Sequence, residues 1–235
     1  MQKIGYSLDG IASFQQAMLR LADSDTFAAL RWVYLDLDAG LDLAIGDAGL
    51  KPFQLAQRSS GLGPALEHDP HDNIFTPNRG WLGEAVATVY GKSIGSDNDF
   101  QTYRAHVFHH TPLREDLTLG LGADGRAARG DVPFYMLPLI DLRGIPAARF
   151  QDENVAVPET ELRVDVTPRW SLVGFGGTGR AWGERVSFSQ ADKPWSGSLG
   201  FRYLIARRLG LYVGMDFAHS TVDNAFYIQV GNGWR

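Results

Sequence analysis

Three clusters in this sequence carry side chains capable of chemistry. The first, GFGGTG at 174–179, fits the G-x-G-x-x-G spacing of a dinucleotide loop. That chemistry needs a helix immediately afterwards, its N-terminus facing a pyrophosphate, and an acid about twenty residues on. The following RAWGERVSFSQADKPW has no helical period, so the glycines read better as space on a strand for something lying against it. The second cluster is His106, His109 and His110. On a strand His106 and His110 share a face and His109 takes the other, so a zinc site would need a further ligand from elsewhere. The third, EHDPHDN at 67–73, lacks the glycine turn and terminal glutamate of a calcium-binding loop and reads as a polar turn at a strand end. No G-x-S-x-G elbow and no phosphate-binding loop occur, and the absence of cysteine removes thiolate nucleophiles and disulfides. The expectation is a non-enzymatic protein with no metal and no cofactor.

Those clusters sit in a chain of 235 residues, 44% hydrophobic and 21% charged, with net charge -5. The balance is that of a folded protein, and it offers no basic field for nucleic acid. The longest clean apolar runs, such as FYMLPLI at 134–140, reach about seven residues, against roughly 18–20 for a spanning helix. MQKIGYSLDG lacks the apolar core of a secretory leader, which predicts either a cytoplasmic protein or a chain lacking its natural beginning.

What organises the sequence is alternation with period two, the mark of half-exposed strands. In LTLGLGAD, Leu117, Leu119, Leu121 and Ala123 share one face, while Thr118, Gly120, Gly122 and Asp124 share the other. In ELRVDV, Leu162, Val164 and Val166 oppose Glu161, Arg163 and Asp165. In LYVGMDFA, Leu211, Val213, Met215 and Phe217 oppose Tyr212, Gly214 and Asp216. The pattern predicts about twelve strands, near 27–36, 40–46, 54–68, 80–90, 99–110, 115–124, 132–140, 159–167, 169–181, 197–207, 210–219 and 224–234. Residues 10–22 could instead form a short amphipathic helix. Tight connections such as ARRLG alternate with long polar ones such as 182–197, as in an up-and-down antiparallel barrel. One domain is expected, spanning 1–235, with 1–26 its least defined part. Aromatic residues near strand ends, Trp81, Tyr90, Trp170, Trp182 and Trp234, fit the girdles of a membrane barrel. Alternation alone leaves a water-soluble sandwich open as well, since it does not say which face points inward.

One segment fits neither strand nor helix: LIDLRGIPAARFQD, 139–152, where an apolar run breaks at Asp141 and Arg143 stands beside Gly144 and Pro146. Together with its neighbours it resembles the BamA/TamA-type outer-membrane assembly barrels, the bacterial surface antigens. HDPHDNIFTPNRGW (68–81) is similar to the family signature D-x-R-D-N-x-F-x-P-x-x-G, matched at Asp69, Asp72, Asn73, Phe75, Pro77 and Gly80, with His71 in place of the arginine. GDVPFYMLPLIDLRGIPAARF, ELRVDVTP, GFGGTG, GFRY and YIQVGNGW continue in family order, covering roughly 55–235.

The resemblance implies a sixteen-stranded barrel in the bacterial outer membrane, preceded by POTRA domains that this chain does not show, acting in insertion or translocation of other proteins. It places Arg143, Gly144, Ile145 and Pro146 on a lid loop inserted in the lumen, with Glu161 as the arginine's partner. Where the family carries an aspartate this chain has Gly177, which brings in Asp216 as an alternative partner. Gly177 and Gly179 would let the loop approach the wall, and Tyr227, Gly231 and Trp234 would form a C-terminal assembly signal. The implied partners are outer-membrane lipid and unfolded client proteins. Twelve strands, being even, would allow closure as a smaller barrel. Two rival expectations stand beside this one: a passive pore or anchor, and a soluble barrel or sandwich that binds a ligand.

Overall fold

The computed structural model describes residues 5–42 and 53–231. Twelve strands form one antiparallel sheet: β1 (Gly5–Arg20), β2 (Thr26–Asp42), β3 (Phe53–His68), β4 (Gly80–Tyr90), β5 (Phe100–Arg114), β6 (Leu117–Gly130), β7 (Asn154–Asp165), β8 (Trp170–Thr178), β9 (Arg180–Trp182), β10 (Trp195–Ala206), β11 (Leu211–Ser220) and β12 (Asn224–Val230). Each strand pairs with its chain neighbour, the meander expected from the alternation, except that β8 and β9 both pair with β7 and β10 pairs with β8. No helix among the described residues is long and apolar enough to cross a membrane, which says nothing about crossing by strands.

The strand map corrects the expectations in four places. Residues 10–20 belong to β1, paired in unbroken register with β2, and 21–22 open the turn between them, because a neighbouring ladder satisfies the backbone that a lone helix would have to satisfy itself. The span 27–36 and the described part of 40–46 are one strand, β2, with 43–46 outside the described residues. The span 169–181 is interrupted at Gly179, so β8 and β9 occupy a single track against β7. The span 132–140 is not a strand: it holds a short 3-10 turn, Phe134–Met136, followed by irregular chain with a lone bridge from Leu139 to Gln151.

The closing argument changes with the count. Twelve strands lie on eleven tracks, so β1 and β12 run in the same direction. A direct junction between them would be parallel, and among the described residues the two are not paired. Even-number closure therefore does not apply to this sheet.

The burial pattern decides the question of faces. The outward positions are large, apolar and exposed: Leu121 on β6, Leu172 on β8, Leu199 on β10, Phe217 on β11 and Ile228 on β12, with Leu199 at 76% exposure. The opposite face carries Glu161, Arg163, Ser171, Arg202 and Asp216, mostly buried. The sheet is thus apolar outside and polar inside, the reverse of a sheet packed on an oily core. An apolar cluster forms where the 131–153 loop packs on the inner wall: Ile140, Leu142 and Ile145 meet Val155, Val157 and Phe175.

Candidate functional site: two segments that cross the inner face

Two connections at opposite ends of the strands turn back over the inner face. The first, 131–153, joins β6 to β7. Its apolar run 134–140 reads as part of a strand because it is hydrophobic. Ile140, exposed by only 1%, and Leu142 just beyond the run are instead pressed against the wall. A Cβ on Gly177 would lie 2.6 Å from Leu142 Cδ2, and one on Gly179 would lie 2.8 Å from Ile140 Cγ2, so glycine at both positions permits the approach.

At the tip, the Ile145 amide donates to the Leu142 carbonyl (3.0 Å), and Gly144 takes φ of +82°, a conformation that disfavours any side chain. Pro146 is exposed just beyond it. Arg143 points to the wall. Its Nη2 donates to Glu161 Oε2 at 2.8 Å, and its Nη1 lies 3.5 Å from Asp216 Oδ2. Its guanidinium sits 4.3 Å from the Phe175 ring centroid, within cation–π range. Asp216, exposed by 1%, is also gripped by Arg202 through two bonds of 2.6 and 2.8 Å. Two guanidiniums and two carboxylates thus close a buried network, in which each charge offsets the desolvation of the others.

The sequence did not point to four further contacts of the loop, three of them at its tip. Ser196 Oγ donates to the Arg143 carbonyl, Ser220 Oγ donates to the Gly144 carbonyl (2.8 Å), and the Gly144 amide donates to Tyr227 Oη (2.7 Å). Farther along the loop, Tyr135 Oη bonds Ser59 Oγ of β3 at 3.0 Å. Ser196 and Ser220 stand opposite each other in the β10–β11 register, so one level of the wall supplies both hydroxyls. Their signal in the sequence was only small polar residues at inward positions. One loop therefore touches β3, β7, β8, β10, β11 and β12, which requires the sheet to curve around it.

The second segment, 69–79, joins β3 to β4 and builds itself from its own polar side chains. Asp72 Oδ1 accepts from the amides of Asn78 (3.0 Å) and Arg79 (3.1 Å). Asn73 Oδ1 accepts from Phe75 (2.8 Å) and Thr76 (3.0 Å), while its Nδ2 donates to the Leu209 carbonyl (2.9 Å) in the β10–β11 turn. Asp69 Oδ1 lies 3.0 Å from His71 Nδ1, and His71 Nε2 lies 3.1 Å from His110 Nδ1. Burial pushes the His71 imidazole below its ordinary pKa, with Asp72 opposing the shift and His109 adding to it. Arg163 of β7 donates to Asn78 Oδ1 and to the Pro77 carbonyl. Gly80 ends the turn at φ +123°, its carbonyl 3.1 Å from His109 Nδ1, and the Phe75 carbonyl faces Gly231. Trp234 lies outside the described residues.

No family model matches the sequence, and no curated protein sequence does. Among solved structures, the chain matches the crystal structure of BamA from Haemophilus ducreyi lacking POTRA domains 1–3. The TM-score is 0.71 at 10% identity, over 96% of this chain and 55% of that chain. The fold is that of a BamA barrel. The chain spans little more than half the length of that BamA chain, and the likeness is one of fold.

On this BamA-type wall the remaining motifs find places. GFGGTG supplies the inner surface under the 131–153 loop, with Phe175 beneath Arg143. His106 and His110 face inward, His106 Nδ1 lying 3.8 Å from Glu84, while His109 faces outward and stacks on Trp81 at 4.0 Å. Among the described residues no group of His, Asp or Glu is arranged to hold a metal. Between the 69–79 turn and the wall remains a cavity of about 20 Å³, lined by Thr118, Glu161, Arg163, Arg202 and Tyr212 among others, room for about one water.

Proposed function

We propose that this chain is an outer-membrane β-barrel wall of the protein-insertion type, non-catalytic, with the 131–153 loop acting as a lid latched by Arg143. One observation carries the membrane reading: a single sheet exposes its large apolar side chains and buries its charges. In water, such a continuous apolar surface is a liability. In a bilayer the outward face meets acyl chains, and the ladder satisfies the backbone internally. The BamA-type fold supports the insertion class. The clients would be unfolded outer-membrane or secreted chains.

A passive pore is the second reading, and the lid argues against a wide one. The test is refolding of the whole chain into phospholipid vesicles. Heat-modifiable gel migration and a β-rich circular dichroism spectrum are expected only with lipid present. A chain that is monomeric and folded in detergent-free buffer would sink the membrane reading.

A further inference from the structure

The outward face is not uniformly bulky. Across β4 to β7 its side chains shrink: Ala85 and Ala87, Ala105, Gly125 and Ala127, and Ala156 stand side by side in register. The result is an open trough of about 810 Å³ that crosses the strands from Pro64 and Leu66 on β3 to Trp182 on β9. On β8 and β10 to β12 the outward face instead carries the large side chains Leu172, Leu199, Phe201, Phe217 and Ile228.

The rim toward the longer connections is different in kind. Arg129 lies two residues beyond Ala127 on the same face, opposite Gln101. It is exposed, and its guanidinium is held by the carbonyl of Ala128 (2.6 Å) and by Asn154 Oδ1 (2.6 Å). Arg180 pairs in register with Ala156, its guanidinium 4.3 Å from the Phe188 ring centroid. The outward positions here, Gln101, Tyr103, Arg129, Asn154, Arg180 and Trp182, include two cations, two aromatics and no carboxylate.

The geometry points to a seat for one anionic phospholipid, its phosphate between Arg129 and Arg180 and an acyl chain in the alanine trough. This rests on the membrane reading above. The small side chains leave carbon surface with no group to hydrogen-bond along its length, which suits a hydrocarbon chain. Guanidinium forks match phosphate oxygens, and Tyr103 and Trp182 belong at headgroup level. Strands tilted by about 35–45° would incline the trough so that a chain could descend from that level.

Native mass spectrometry of the full chain, released from mixed vesicles of phosphatidylglycerol and phosphatidylcholine, tests the seat. One retained phosphatidylglycerol is expected, favoured about tenfold over phosphatidylcholine. Ala105→Leu with Ala127→Leu fills the trough and is expected to reduce retention of either lipid about tenfold. Arg129→Gln with Arg180→Gln leaves the trough open and is expected to erase only the headgroup preference. Retention unchanged in the filled variant, or preference unchanged without the cations, overturns the seat, as does a protein partner recovered in the trough in place of lipid. If the parent folds in lipid yet retains none, the seat falls and the membrane reading stands. If the parent does not fold in lipid, both fall.

Discussion

The lid loop and the 69–79 turn solve the same problem in opposite ways. Both must hold irregular chain against an inner wall, and both bond to β7, the lid to Glu161 and the turn to Arg163 two residues on. The lid is held from outside itself, by a buried charge network and an apolar contact with the wall. The turn is largely held from within, by Asp72 and Asn73 bonding their own neighbours' amides, with Asn73 and Asn78 reaching out to the wall. An externally held loop can be released as a unit when one partner is lost. A self-built turn keeps its local shape and loses only its moorings.

The largest expected effect comes from Arg143→Ala. It leaves Glu161 without its guanidinium, and breaking a buried pair typically costs about 3–5 kcal/mol. The variant in planar bilayers should conduct more than the parent, with a lowered unfolding midpoint in lipid. Arg143→Lys should fall between the two, since an ammonium cannot present the planar fork. Equal conductance in parent and Ala variant would remove the lid from the account.

Asn73→Ala should cost less, about 1–3 kcal/mol, through amides and a carbonyl left unpaired. Protease cutting within 69–79 should rise while conductance stays at the parent's level. If both segments respond alike, the contrast between them is wrong.

The smallest effect is a pH slope. His71 binds a proton less readily in the folded state than in the unfolded chain, because burial lowers its pKa. Stability attributable to it is complete above its ordinary value of about 6.5, falls as the pH drops below that, and levels off under the lowered folded value. Denaturant titrations between pH 7 and 4.5 should show a slope that is shallower in His71→Gln. An identical slope in that variant would assign the dependence to other groups.

Much of this was legible in the sequence. The alternation named which residues share a face on β6, β7 and β11, and the order of short motifs pointed to the barrel type. The misses share a cause. The 132–140 run was read as a strand because apolar content alone cannot distinguish pairing to a neighbour from packing onto a wall. The β8–β9 break at Gly179 was missed because where a ladder is interrupted depends on the chain packed beside it, not on the local alternation. Ser196 and Ser220 look like any small polar residue at an inward position and Tyr227 like part of a C-terminal signal, since each meets the lid tip across 53 to 83 residues of chain.

The sequence by itself determined the two faces of each strand, the self-bonded turn at 69–79 and the presence of an Arg-Gly tip too polar to be a strand. Those are local properties, set by side-chain period and by hydrogen bonds within a few residues. Only the tertiary structure decided which face points outward, because a period of two is symmetric until a neighbour breaks it. It also decided that the tracks are odd in number and that Arg143 lies against Glu161 and near Asp216. These depend on how many strands pair and how far the sheet curves, and both follow from contacts between residues remote in the chain.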